Sequence, residues 1–166
     1  MLSLVVLYTL PALMLMAAAS DIARYKIPNW ISLALVAAFA VAAPFSGLGL
    51  GEIGQHIGVG FAALVVGFTL FQFGLVGGGD AKLFAAGALW FGMQGFGVYA
   101  LAMGAAGGAL CLLIMIYRAA PLPVASIGWL RALHDKSNGI PYGAAIAFGA
   151  VAALPHTEWM AIAFAS

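Results

Sequence analysis

From residue 83 to residue 117 the chain carries no Asp, Glu, Lys or Arg, and the stretches 1–20, 27–51, 53–79 and 137–157 are equally uncharged. Roughly 20 consecutive apolar residues suffice to span a bilayer as a helix, so these runs constrain the chain more than any other feature. Only 7% of its 166 residues are charged and 65% are hydrophobic, whereas a soluble domain carries about 25% charged residues. Too few charges remain to cover a water-facing surface, so the expected solvent for most of the chain is lipid. A formal charge of +1 supplies no basic field for phosphates, which excludes nucleic acid as a partner. The single cysteine, Cys111, supports neither a disulfide framework nor a thiolate zinc site.

Four of the runs read as single spans. The run from 83 to 117 is too long for one span, and Gly92, Gly95 and Gly97 interrupt it around Met93 and Gln94. Splitting it there gives an all-α, polytopic membrane protein of about six transmembrane helices, near 2–20, 29–45, 57–76, 81–93, 97–117 and 140–154. Cytoplasmic loops collect Lys and Arg, and six spans put Arg24, Lys26, Lys82, Arg118, Arg131 and Lys136 on one side, with Glu52 and Glu158 on the other. The expected topology is N-terminus out and C-terminus out, a single domain over 1–166. Ala17-Ala18-Ala19 resembles a signal-cleavage site, but no positive n-region precedes it, and the segment reads as a retained span.

Breakers fall where this topology needs them. Pro28 and Pro141 suit a first helical turn, which tolerates a missing N–H, while Pro11 is expected to kink span one. Three small pairs, Gly54 with Gly58, Gly74 with Gly78 and Gly104 with Gly108, would let helices approach closely. Between Ala119 and Lys136, the apolar Ile127, Trp129, Leu130 and Leu133 alternate with charges as an interfacial helix would.

Of only five acids, Asp21 ends span one and Asp80 begins span four, so the topology brings both to the cytoplasmic membrane face. Carboxylates at the edge of hydrocarbon are costly and point to function. Singly, each has a structural explanation: Asp21 as a loop acid paired with Arg24 or Lys26, Asp80 as a helix N-cap. Together they have a specific use. Two carboxylates brought close share one proton, so that one takes a proton from water while the other donates a hydrogen bond to a scissile carbonyl. Gly77, Gly78 and Gly79 before Asp80 permit the close approach of another chain. Lys82 reads as an interfacial anchor, Asn29 as either the cap of span two or a hydrogen-bonding group near the site, and Arg131 with Asp135 as a surface pair. His56, His134 and His156 fall on different loops and sides, so neither a metal nor a cofactor is expected.

The pattern of Asp21, then Ile27-Pro28-Asn29, then Gly77-Gly78-Gly79-Asp80-Ala81-Lys82-Leu83 resembles the type IV prepilin peptidases, membrane aspartic proteases of the GxGD kind. The stretch from Gly139 through Pro141 and Gly143 to Gly149 is similar to that family's proline- and glycine-containing segment opening the last helix. The resemblance covers essentially the whole chain. It implies an endopeptidase that removes the leader from prepilin or pseudopilin precursors at the cytoplasmic face of a bacterial inner membrane. Asp21 and Asp80 would be the catalytic pair, with Ile27, Pro28, Asn29, Gly77, Gly78, Gly79, Lys82, Pro141 and Gly143 supporting the site or the substrate. A substrate helix, the lipid bilayer and a pilus or secretion assembly machinery are the implied partners. Larger members carry paired Cys-x-x-Cys motifs and also methylate the new N-terminus. With Cys111 alone, methyltransferase activity is not expected, and the chain resembles the minimal enzymes of tight-adherence (Flp) pilus systems. The alternatives are a small transporter or channel subunit using the Asp pair as a proton or ion relay, and a packing subunit of a secretion assembly.

Overall fold

The computed structural model describes residues 2–119 and 128–160, and for residues 2–7 and 129 the backbone alone. Among the described residues every regular element is helical. Helix α1 spans Leu2–Arg24 and runs through Pro11. It stops because Tyr25 adopts a left-handed φ of 52°, a conformation that L side chains rarely enter. The chain then extends through Pro28 (φ −63°, ψ 133°) into α2, Asn29–Ala42, since proline fixes φ and leaves no N–H to be satisfied. Pro28 is thus the residue before the helix, and Asn29 does not cap it.

Helix α3 covers Leu50–Gln72, starting earlier and ending earlier than the span expected at 57–76. Glu52 sets the start, because its Oε2 accepts the Gly49 N–H at 2.7 Å, satisfying a donor that a helix start leaves free. The stop is a left-handed glycine, Gly74 at φ 70°. The Gly74 N–H reaches the Phe71 carbonyl at 2.9 Å and the Leu75 N–H the Leu70 carbonyl at 3.0 Å, the paired bonds of a Schellman ending.

Helix α4, Gly78–Ala119, is broken at Gly92, whose φ of 55° and ψ of −163° are not helical. In a straight helix Phe84 and Tyr99 would stand about 22 Å apart. Here the Tyr99 hydroxyl donates to the Phe84 carbonyl at 3.4 Å and the two rings stack at 5.3 Å. The chain therefore reverses at Gly92 and forms a hairpin with arms 78–91 and 93–119. The reversal exposes carbonyls at the end of the first arm, and side chains from elsewhere cover them. His56 Nδ1 lies 2.8 Å from the Leu89 carbonyl, and Trp159 Nε1 donates to the Trp90 carbonyl at 2.8 Å. Glu158 Oε2 stands 3.5 Å from His56 Nε2. His56 is thus a buried helical residue with fixed partners and not a loop histidine.

Two shorter helices follow, α5 (Gly128–His134) and α6 (Gly143–Ala153). Of the expected interfacial helix, Gly128–His134 is helical, and Ile127 lies outside the described residues. Asp135 does not pair with Arg131; its Oδ1 accepts the Ser137 N–H at 2.9 Å and the Ser137 hydroxyl at 2.8 Å.

Lipid tails are as apolar as leucine, so helices that meet in a membrane gain by close packing more than by leaving water. The contacts follow that rule mostly through glycines outside the expected pairs, of whose members Gly78 packs closely, against the Phe71 ring of α3. Gly60 lies against Leu89, Gly67 against Ala81 and Gly149 against the Met103 backbone. Gly54, Gly58, Gly104 and Gly108 face open space, so four-residue spacing alone did not locate the interfaces. Within the core sit Leu10, Met14, Leu35, Leu83, Trp90, Phe91, Tyr99 and Ile146, while Phe61, Phe68, Leu101, Leu112 and Ile116 are exposed. Two described helices, Leu50–Gln72 and Gly78–Ala119, are long and apolar enough to cross a membrane.

Candidate active site

Asp21 lies in the last turn of α1, inside the helix, and its carboxylate points into the bundle. It is buried, and its Oδ2 accepts the Gly143 N–H at 2.8 Å. That bond exists because α6 starts here. The Tyr142 carbonyl accepts the first helical bonds from Ala145 and Ile146, which leaves the Gly143 N–H free at the helix start and directed at an acid. Glycine permits this approach: a methyl group at 143 would stand 2.9 Å from Asp21 Oδ2 and 3.1 Å from Ile27 Cδ1. Pro141, expected within the first turn, is buried two residues before α6.

Asp80 occupies the third position of α4 and is not its cap. The Ala81 N–H bonds the Gly77 carbonyl at 3.0 Å, making Gly77 the residue before the helix, and the Asp80 carboxylate folds back over Gly77. Gly77 is tight for the same reason, since a methyl there would meet Asp80 Oδ2 at 2.6 Å. The second oxygen, Oδ1, is buried and has no hydrogen-bond partner. Asp80 borders a cavity of about 90 Å³ shared with Leu70, Phe84, Met103, Tyr142 and Ile146. An unsatisfied buried carboxylate oxygen costs stability, so evolution of a purely structural acid would be expected to give it a donor.

Ile27 joins the two halves. Its side chain is buried and touches the positions of both Gly79, beside Asp80, and Gly143, beside Asp21. Asp80 lies in the electrostatic field of Asp21. The structure thus gathers Asp21, Ile27, Gly77, Gly79, Asp80, Pro141 and Gly143 at one end of the bundle. Lys82 and Asn29 stand at its rim, where Lys82 Nζ donates to Asn29 Oδ1 at 3.1 Å and not to a carboxylate. Gly78 packs against the Phe71 ring and Pro28 is half-buried beside Ile27. Among the described residues no group of three His, Cys, Asp or Glu side chains converges as a metal site would require.

Two residues near the site escaped the sequence. Tyr25 follows Asp21 in the left-handed conformation, its N–H on the Asp21 carbonyl at 2.7 Å. Burial pushes its phenol up, with Arg118 opposing and Asp21 adding to the rise. Nothing in a tyrosine's identity announces a left-handed backbone, which glycine or asparagine usually supplies. Arg118, legible only as a positive charge, also lies in this region through its field on Tyr25.

Two acids from separate helices thus meet at one end of a helical bundle, Asp21 held there by the Gly143 N–H. The family comparison gives that arrangement its place: the model of the type IV leader peptidase family matches residues 8–165. The chain belongs to that family and is a leader peptidase-type protease, with prepilin-type precursors as the implied substrates. No curated protein and no solved structure matches the chain. Membership gives no support to the ion-relay alternative.

Proposed function

We propose that the protein is a membrane aspartic endopeptidase that removes the leader from Flp-type prepilins at the cytoplasmic face of the inner membrane, with Asp21 and Asp80 as its catalytic pair. The observation that carries this reading is the convergence of the two acids around Ile27, Asp21 bound by the Gly143 N–H and Asp80 with its Oδ1 buried and unpartnered.

In this mechanism the pair holds one proton. The ionised carboxylate takes a proton from a water molecule as its oxygen bonds to the scissile carbonyl carbon, and the protonated carboxyl gives its proton to the carbonyl oxygen. As the tetrahedral intermediate collapses the C–N bond breaks, the carboxyl that took the water proton gives it to the leaving nitrogen, and the other carboxylate takes the proton of the hydroxyl that becomes the new carbonyl, which leaves the pair singly protonated as at the start. No metal or nucleophilic side chain is needed. The Gly143 N–H holds the Asp21 carboxylate in one orientation, and such positioning contributes heavily to rate.

Six membrane spans, N-out and C-out, in one domain over 1–166 complete the proposal. In support, the break at Gly92 gives α4 two antiparallel arms, and large apolar side chains remain exposed on α3 and α4. Lys82 and Arg118 lie at the Asp end, while Glu158 pairs with His56 beside the Gly92 turn. The sole cysteine favours peptidase activity without methyl transfer. The test is processing of a co-expressed Flp-type prepilin, read as a mass shift, by wild type, Asp21→Asn and Asp80→Asn at matched membrane levels. Asparagine keeps the shape and removes the ionisable proton, so both variants should leave the precursor intact. Continued processing by either one removes that residue from the mechanism.

A further inference from the structure

Arg118 closes the second arm of α4, and its guanidinium is directed at backbone carbonyls. Its Nε donates to the Leu133 carbonyl at 2.8 Å, and its Nη2 to the carbonyls of Asn138 at 2.9 Å and Gly139 at 3.1 Å. A planar fork of donors suits such a fan of acceptors, and a lysine ammonium does not. The turn it grips is tied internally as well. Asn138 Nδ2 donates to the Ala132 carbonyl at 2.8 Å, and Asp135 holds Ser137.

Only Ile140, Pro141 and Tyr142 separate Gly139 from Gly143, and this link is stiff. Pro141 is buried with a fixed φ, and the Tyr142 carbonyl is engaged by the first turn of α6. The Tyr142 ring sits directly on Gly107, on the same arm that carries Arg118. The arm therefore holds the segment at two points about 16 Å apart along its axis. A shift at Gly139 has little slack to dissipate before it reaches the N–H that contacts Asp21 at 2.8 Å.

We propose that Arg118 is a positioning residue for Asp21: its carbonyl bonds fix the 133–139 turn so that the Gly143 N–H meets the carboxylate. This inference rests on the proposed Asp21–Asp80 pair. Arg118 also counts as a cytoplasmic positive charge, and the two roles separate chemically. Orientation in the membrane needs only the charge, which lysine keeps, whereas the strap needs the fork, which lysine loses.

The experiment compares wild type, Arg118→Lys and Asp21→Asn in proteoliposomes, with steady-state cleavage of a purified prepilin precursor across pH. For Arg118→Lys, kcat should fall about tenfold or more with KM unchanged within about twofold, as expected when a catalytic group is misplaced by a fraction of an ångström. The acidic limb of its kcat profile should move to higher pH, because an N–H donor favours the ionised carboxylate and its loss disfavours it. An unchanged kcat and pH profile, or a change in KM alone, overturns the proposal. An active Asp21→Asn would defeat the catalytic-pair reading, whereas an inert Asp21→Asn beside a wild-type-like Arg118→Lys defeats the strap alone. If Arg118→Lys fails to fold, Asn138→Ala releases the same turn at the Ala132 carbonyl. A folded Asn138→Ala with unaltered kcat and pH profile overturns the proposal equally.

Discussion

Adding one methyl group at Gly143 tests whether the site depends on close approach of α6 to Asp21. The new Cβ would stand 2.9 Å from Asp21 Oδ2, 3.0 Å from Asp21 Cβ and 3.1 Å from Ile27 Cδ1, where ordinary contacts begin at 3.4 Å. Relief by rotating the carboxylate is not enough, because Asp21 Cβ is itself in the way and is fixed to α1. Either the 2.8 Å bond from the Gly143 N–H stretches or α1 and α6 separate by about half an ångström, an overpacking that costs about 1–3 kcal/mol. Misplacement of a catalytic group by about 1 Å costs about a hundredfold in rate, so Gly143→Ala should lower kcat about ten- to a hundredfold while remaining folded. The assay is cleavage of a purified precursor in proteoliposomes, with thermal unfolding measured on the same preparation. Gly95→Ala is the control. Its methyl would meet Phe91 Cβ at 3.2 Å, a crowding beside the Gly92 turn and away from the arm end that carries Asp80, so it should lose stability and keep the kcat of the folded fraction. Wild-type turnover by Gly143→Ala, or an equal loss of kcat in Gly95→Ala, would refute the reasoning.

Gly92→Ala should be far more damaging to stability. Its backbone at φ 55° and ψ −163° lies in a region nearly closed to L residues, and its methyl would meet the His56 ring at 2.8 Å, together about 3 kcal/mol or more. Retention of the wild-type melting temperature would show that the hairpin turn does not need glycine. The turn before α6 should respond to acid. Asp135 is held below its ordinary value of 3.8 by the Ser137 N–H and then by the Ser137 hydroxyl. A lowered folded value means the stabilisation is complete above about pH 5 and is lost as pH falls through the folded value. Cleavage within 132–139 by an acid-stable protease should therefore speed up below about pH 4 in the wild type, while Asp135→Ala should show the fast rate throughout the range. Equal rates in the two proteins would remove Asp135 from the turn.

The acids and the glycines around them were legible in the sequence because carboxylates and runs of glycine are rare breaks in so apolar a chain. Asp21, Asp80 and the split near Gly92 each stood out as a breach of an apolar pattern, and so did Pro141 with Gly143. What the sequence could not convey was partnership. Lys82 was visible as a cation, yet its bond to Asn29 depends on how α2 meets α4. Arg118 looked like a topology signal because charge is a property of one residue, while a fan of carbonyls is a property of a folded turn. The glycine interfaces were missed for a related reason: spacing of four marks a face of a helix, and Gly54 and Gly104 have such a face with nothing against it. On the sequence His56 falls in a loop because the apolar run suggests a span only from 57, seven residues after α3 begins, and the start is moved by the bond from the Gly49 N–H to Glu52.

The bond between Gly143 and Asp21 spans 122 positions of the chain, which has a consequence for biogenesis. A ribosome that has just made the first aspartate needs about 6–24 s more, at about 5–20 residues per second, to reach the glycine that completes its setting. If Asp21 and Asp80 are the catalytic pair proposed above, the nascent polypeptide can insert its early helices beside freshly made precursors throughout that interval without being able to cut them. Proteolytic competence would then arrive with α6, as a late event of synthesis, and a growing chain would have no active protease to turn on its neighbours.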